Sequence, residues 1–273
     1  MVPSGRLLTS AASSGRYKCF RNSNFEIGDT GGAAAIASRS VSATDATLVL
    51  FARAPEPGRV KTRLAPLLTE EGAARLYRAF LEDAARAYLS PENWSSVLAA
   101  EPDPEHPLLA PLFPPPWRRI AQDGEALGAR LRAAFEGEFA CGAAAVLAVG
   151  SDHPALPGER LQRAFEEISR GADAAVIPAE DGGFCAIALS SRAASARIFE
   201  DIPWSSASVL AVTLRRLAEA GLSVAILDPA YDVDRPEDIE RLRRDLCGVS
   251  EDAPDYPRAT ARALRELEQE GAL

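Results

Sequence analysis

Among the side chains that could do chemistry, Lys61 draws attention first. It lies in the segment Ala54-Pro55-Glu56-Pro57-Gly58-Arg59-Val60-Lys61-Thr62-Arg63-Leu64. The chain carries 30 basic residues, and all are arginine except Lys18 and Lys61. A surface lysine exchanges for arginine at little cost. A lysine acting as a compact point charge on a phosphate does not, because the two side chains differ in size and hydrogen-bond geometry. Lys61-Thr62 resembles the end of a Walker A loop, but Val60 occupies the position where that motif needs glycine, which excludes it. The plain alternative for the segment is a solvated basic turn. Its glycine, prolines and three cations favour phosphate contact through Ala54, Gly58, Lys61 and Arg63.

Three acidic stretches could complement that cation cluster. They are Ser151-Asp152-His153-Pro154, Glu180-Asp181-Gly182-Gly183 and Tyr231-Asp232-Val233-Asp234. Each has a bland reading as a turn or helix cap, where aspartate and glycine are common. Taken together, one cationic and three anionic loops suit a pyrophosphate bound with a divalent metal, Mg²⁺ or Mn²⁺. Carboxylates hold the metal, and lysine and arginine neutralise phosphate oxygens. Asp152, Asp232 and Asp234 are the candidate metal ligands. The last two stand two apart on an extended segment and so face the same way. Asp238, in a first helical turn, suits the helix dipole instead. His153 could be a ligand or a base. Neighbours on an extended segment point apart, so a packing or supporting role suits it better. Asp181 is a candidate sugar contact or general base. Gly182 and Gly183 would let the backbone approach a ligand closely.

These residues need a frame that brings distant loops to one edge. Short apolar runs at 47–52, 96–100, 144–150, 174–179, 184–189 and 223–227 read as strands, with a shorter one at 119–121. Helical spacing recurs at 69–88, 126–139, 157–169, 208–220, 236–246 and 257–270. Such alternation predicts a mostly parallel sheet covered on both faces, with an antiparallel part around Asp181-Gly182-Gly183. In open α/β sheets ligands sit beyond the carboxyl ends of the strands. The cationic loop and the three acidic loops all follow strands.

Composition sets the outer limits. With 273 residues, 47% of them apolar and 25% charged, the chain has ample core for a globular enzyme. A net charge of −9 argues against a nucleic-acid partner. No apolar run is long enough to span a membrane. The four cysteines form no CxxC pair, so their spacing gives neither a zinc site nor a disulfide framework, and a reducing cytoplasm is expected. Residues 1–45 are rich in Ser, Gly, Ala and Arg, and read as a disordered extension, a transit-like leader or an upstream start. Residues 46–273 read as one transferase domain.

The ordered segments PEPGRVKTRL (55–64), LYRAFLED (76–83), GSDHPAL (150–156), PAEDGGF (178–184), IFEDIPWSS (198–206) and DVDRPEDI (232–239) resemble bacterial GT-A-type nucleotide-diphospho-sugar transferases. One branch of that family is associated with arsenosugar biosynthesis. The resemblance implies a Rossmann-like GT-A fold and three α/β/α layers. It also implies a nucleoside-diphospho-sugar donor, a small-molecule acceptor and a divalent metal. Its phosphate loop falls on Gly58, Lys61 and Arg63, and its aspartate motifs on Asp152 and on Asp232 with Asp234. The segment Gln122–Arg130 resembles the family's QxxGDLGxR and makes Arg130 a further phosphate contact, with Ala126 where an acid is usual. Phe184 and Trp204 would line the acceptor side with His153, although a core role suits Trp204 equally. The same framework serves phospholactate and molybdenum-cofactor guanylyltransferases, which keeps nucleotidyl transfer open. A non-catalytic nucleotide-binding protein is the third reading.

Overall fold

The computed structural model describes residues 45–195 and 197–273. The expected N-terminal extension therefore lies outside the described residues, apart from Asp45. Seven strands form one sheet: β1 (Ala46–Arg53), β2 (Ser95–Glu101), β3 (Arg118–Ala121), β4 (Ala145–Gly150), β5 (Ala174–Pro178), β6 (Phe184–Ser190) and β7 (Val224–Ile226). The order is β3-β2-β1-β4-β6-β5-β7. Only β6 runs antiparallel to its neighbours. That is the antiparallel part anticipated at 174–189, and the fold is the mostly parallel three-layer α/β/α arrangement. The central strands read as continuous apolar runs because both of their faces are covered.

Among the described residues six α-helices supply the cover: α1 (Ala65–Ala87), α2 (Leu127–Ala140), α3 (Gly158–Ser169), α4 (Val209–Glu219), α5 (Pro236–Cys247) and α6 (Arg258–Gln269). One core layer joins the sheet to α1, α3, α5 and α6 through Leu48, Leu50, Phe80, Leu161, Leu242 and Leu267. The other joins it to α2 and α4 through Val49, Val97, Leu131, Phe135, Ile187 and Leu217. Among the described residues no helix is long and apolar enough to cross a membrane.

Helix α1 starts earlier than the periodicity suggests but breaks at Thr69, which has a φ of 63°. The Thr69 hydroxyl accepts the Gly72 N–H at 3.2 Å, so Thr69 caps the second piece. Gly72 has a packing role. A Cβ there would stand 3.3 Å from Leu267, so its small size lets α6 pack close. The cysteine reading needs one correction, since Cys141 is disulfide-bonded, while Cys185 and Cys247 are free thiols.

Helix α6 has no side-chain cap of its own. Buried Asp83, on α1, accepts from the backbone N–H groups of Ala259 and Thr260 at 3.1 and 2.8 Å. A carboxylate there also complements the positive helix end. Asp83→Ala leaves both donors orphaned and is expected to cost about 1–3 kcal/mol. Urea unfolding measures it, and a loss below about 0.5 kcal/mol, the range of ordinary surface changes, would contradict the cap.

Candidate active site

The sheet topology delivers the expected loops to one edge. β1 runs into the Lys61 loop, β4 into Asp152, and the segment after β7 into Asp232 and Asp234. The Val233 N–H donates to the Asp152 carbonyl at 2.9 Å, and the Val233 side chain is fully buried. This ties two loops together and carries Asp234 towards Asp152. Between them lies Lys61. Its Nζ is 2.7 Å from Asp152 Oδ1 and 3.3 Å from Asp234 Oδ1. Arg63 holds the other Asp234 oxygen at 2.8 Å.

Lys61 adopts a φ of 47°, an uncommon backbone state for a residue with a side chain. The Leu64 N–H donates to its carbonyl at 2.8 Å, which stabilises that turn. The Lys61 side chain is only 3% exposed, and its Nζ lies about 6 Å from the rings of Tyr77 and Phe80. Strain of this kind persists only where the surroundings over-determine it, and it concentrates at functional sites. The Asp152 carboxyl is pushed up by desolvation, but Lys61 outweighs that and holds it below the usual aspartate range.

Asp232 and Asp234 reach different neighbours. Burial pushes the Asp232 carboxyl up, and the charges of Asp181 and Asp234 push the same way, while His153 opposes them. His153 is buried, and burial pushes its imidazole pKa down. Its Nδ1 pairs with the Tyr231 carbonyl at 3.1 Å, so it supports the Asp232–Asp234 segment from behind.

A cleft of about 630 Å³ opens over the Lys61 pair, lined among others by Arg53, Lys61, Arg63, Arg130, Asp152 and Asp234. Arg130 thus lies where the sequence places it, but it is not free. Its Nη1 donates to Glu101 Oε2 at 2.7 Å, and Arg53 donates to the same oxygen at 2.9 Å. Burial pushes the Glu101 carboxyl up, yet these two guanidiniums hold it below its ordinary value. Gln122 braces the group by donating to the Ala52 and Ala99 carbonyls at 3.2 and 3.0 Å. Arg53, Glu101 and Gln122 were not singled out from sequence. Arg53 and Glu101 end β1 and β2, so the strand-end rule could have found them.

Other expected contacts sit away from the cleft wall. Ala54 is buried, its N–H donates to the Glu101 carbonyl at 2.8 Å, and its own carbonyl accepts from Glu56. Gly58 has a φ of 72°, and a Cβ there would meet the Glu70 carboxylate at 2.8 Å. Asp181 is exposed and accepts the Gly183 N–H at 2.9 Å. Gly182 approaches the protein's own chain, because a Cβ would stand 2.2 Å from the Ala207 carbonyl oxygen. Half-buried Trp204 packs edge-on to Phe184 at 6.2 Å and lies under Gly128 of α2. Its neighbour Ser205 lines the cleft.

The carboxylates can be tested against a metal. Among the described residues no three Asp, Glu, His or Cys side chains gather closely enough to hold one by themselves. Asp152 and Asp234 do converge on a single cation position, the one Lys61 occupies. Hard oxygen donors of that number fit Mg²⁺ or Mn²⁺ when substrate phosphates and water complete the shell.

A Rossmann-like sheet with its cation and carboxylates at the carboxyl edge defines the nucleotide-diphospho-sugar transferase fold. The chain is similar to a protein from Desulfovibrio desulfuricans G20 provisionally named a nucleotide-diphospho-sugar transferase. The two share 30% identity over 83% of this chain and 98% of that one, with a TM-score of 0.74. Residues 84–206 match the family model DUF2064, described as an uncharacterized protein conserved in bacteria. The chain belongs to this bacterial nucleotide-diphospho-sugar transferase family. More distant likenesses show the fold alone. One is 4-diphosphocytidyl-2C-methyl-D-erythritol synthase from Anaerococcus prevotii DSM 20548, at 10% identity and TM-score 0.53, covering 76% of this chain and 98% of that one. Another is a cytidylyltransferase from Leptospira borgpetersenii serovar Hardjo-bovis strain JB197, at 10% identity and TM-score 0.51, covering 84% and 96%. No curated protein matches the chain.

Proposed function

We propose that the chain is a metal-dependent glycosyltransferase that moves a sugar from a nucleoside-diphospho-sugar to a small-molecule acceptor. The observation that carries this reading is the buried, strained Lys61 set between Asp152 and Asp234 on the floor of an arginine-lined cleft. An ammonium held there, with Arg63 beside it, can neutralise the charge that grows on a departing diphosphate. Asp152 and Asp234 would hold the metal, which when bound would stabilise the same leaving group. The charges of Asp181 and Asp234 both push the Asp232 carboxyl up, as burial does. Asp181 would contact the sugar or take the acceptor proton.

The test is a thermal-shift screen of nucleoside diphosphates and diphospho-sugars, with and without Mn²⁺. A ligand at 100 times its dissociation constant adds about 2.7 kcal/mol of stability. No response to any nucleotide would sink the reading. One observation favours the nucleotidyltransferase alternative. Arg235 joins Arg63 in an adjoining cleft of about 350 Å³, which adds a cation that the sequence alone did not place beside the loop. Release of pyrophosphate from a nucleoside triphosphate in the presence of a phosphorylated acceptor would decide for that chemistry.

A further inference from the structure

We propose that Lys61 gates the metal position, so that a divalent ion enters only together with the nucleotide's phosphates. The inference rests on the nucleotide-binding reading above and deepens it. The ammonium sits where a cation bridging the two carboxylates would have to sit, 2.7 Å from Asp152 and 3.3 Å from Asp234. A divalent ion and an ammonium at one position repel strongly, so Lys61 must withdraw first. Withdrawal is costly for this side chain. It is nearly closed to water, and the rings of Tyr77 and Phe80, about 6 Å from the ammonium, offer it no strong acceptor. A buried ammonium without acceptors carries a large desolvation penalty.

Phosphate oxygens remove that obstacle in two ways. They take over as acceptors for Lys61, and they supply the ligands that two carboxylates alone do not. Magnesium-like ions bind in this shared manner, through one or two carboxylates plus substrate phosphates. Arg63 adds to the selectivity, because it holds Asp234 Oδ2 at 2.8 Å and is itself a phosphate-seeking group. Metal and diphosphate affinities are then coupled, and the coupling is reciprocal by linkage.

The probe is Mn²⁺, followed by the electron paramagnetic resonance signal of the free ion and corrected for Mn²⁺ held by nucleoside diphosphate in solution. The wild-type chain is expected to bind Mn²⁺ at least tenfold more tightly with a saturating nucleoside diphosphate than without one. Lys61→Met keeps an apolar stem in the pocket and removes the charge. It is expected to bind Mn²⁺ at least tenfold more tightly than wild type in the absence of nucleotide, and to lose most of the diphosphate enhancement. Lys61→Ala serves as the second variant and should behave likewise. Adding Asp152→Asn to Lys61→Met should abolish the gained binding. Nucleotide-free affinity that is unchanged or weaker in both Lys61 variants overturns the gate, as does gained binding that survives Asp152→Asn. A wild-type chain that binds no nucleotide at all sinks the functional reading instead, while the nucleotide-free comparison of wild type with Lys61→Met still reports on the gate.

Discussion

Lys61→Arg is expected to weaken binding of a nucleoside diphosphate with Mn²⁺ by about ten- to a hundredfold, although it keeps the charge. A charge-assisted hydrogen bond to a phosphate is worth about 1.5–3 kcal/mol, which is roughly that range in affinity. Elsewhere in this chain arginine has nearly replaced lysine, so the exchange looks conservative on composition alone. The geometry says otherwise. The side chain is 3% exposed, leaves a backbone with a φ of 47°, and ends in the gap between Asp152 and Asp234 above two aromatic rings. A planar five-donor fork cannot replace a compact ammonium there without displacing a carboxylate or a ring. Overfilling a close-packed site typically costs about 1–3 kcal/mol more. Isothermal titration of the variant and wild type measures the difference. Equal affinity would show that only charge matters at this position and would remove the reason for its lysine.

The contrast between Lys61 and its partners shows what the sequence could reveal. Most strands were legible as short apolar runs between loop residues, and the rule that ligands gather at strand ends then selected the loops that bring Lys61, Asp152 and Asp234 together. Asp152 and Asp234 could be named as partners for that reason, with no contact in view. The Arg53–Glu101–Arg130 clamp was only partly legible: the strand-end rule points to Arg53 and Glu101, but nothing local marks this glutamate, among 39 acidic residues, as the one on which two guanidiniums meet. Its meaning comes from two guanidiniums on one oxygen, and those arrive from positions 53 and 130. Asp83 was hidden in the same way, because it caps a helix that begins 175 residues later. Either aspartate of the last motif was expected to be able to reach a metal. The fold gives them different neighbours, Lys61 and Arg63 for Asp234, and His153 and Asp181 for Asp232, because buried Val233 anchors the segment between them. A local pattern of two residues could not foretell that division.

Gly182 is a glycine that the fold itself requires. Its glycine was expected to make room for a ligand, but the room it makes is for the protein itself. The backbone has a φ of 93°, and a Cβ would stand 2.2 Å from the carbonyl oxygen of Ala207, well inside any tolerable contact. The Gly182 carbonyl also accepts the Leu210 N–H of α4 at 2.9 Å, so the turn after β5 is locked to the segment that carries Trp204 and Ser205. Gly182→Ala therefore meets two penalties. An L side chain at positive φ costs about 1–2 kcal/mol, and the backbone overlap adds about 1–3 kcal/mol of strain. The expected loss is about 2–5 kcal/mol, measured by urea unfolding. Gly171→Ala separates the two terms, because Gly171 has a comparable φ of 106° with nothing within 4 Å of its Cβ position. It should lose only the conformational part. If both variants lose the same amount, the approach to Ala207 is not what fixes the glycine. If Gly182→Ala loses clearly more, the Asp181 turn and the Ser205 wall of the cleft are held by one contact. Substitutions there would then be expected to disturb both the acceptor side and the cleft together.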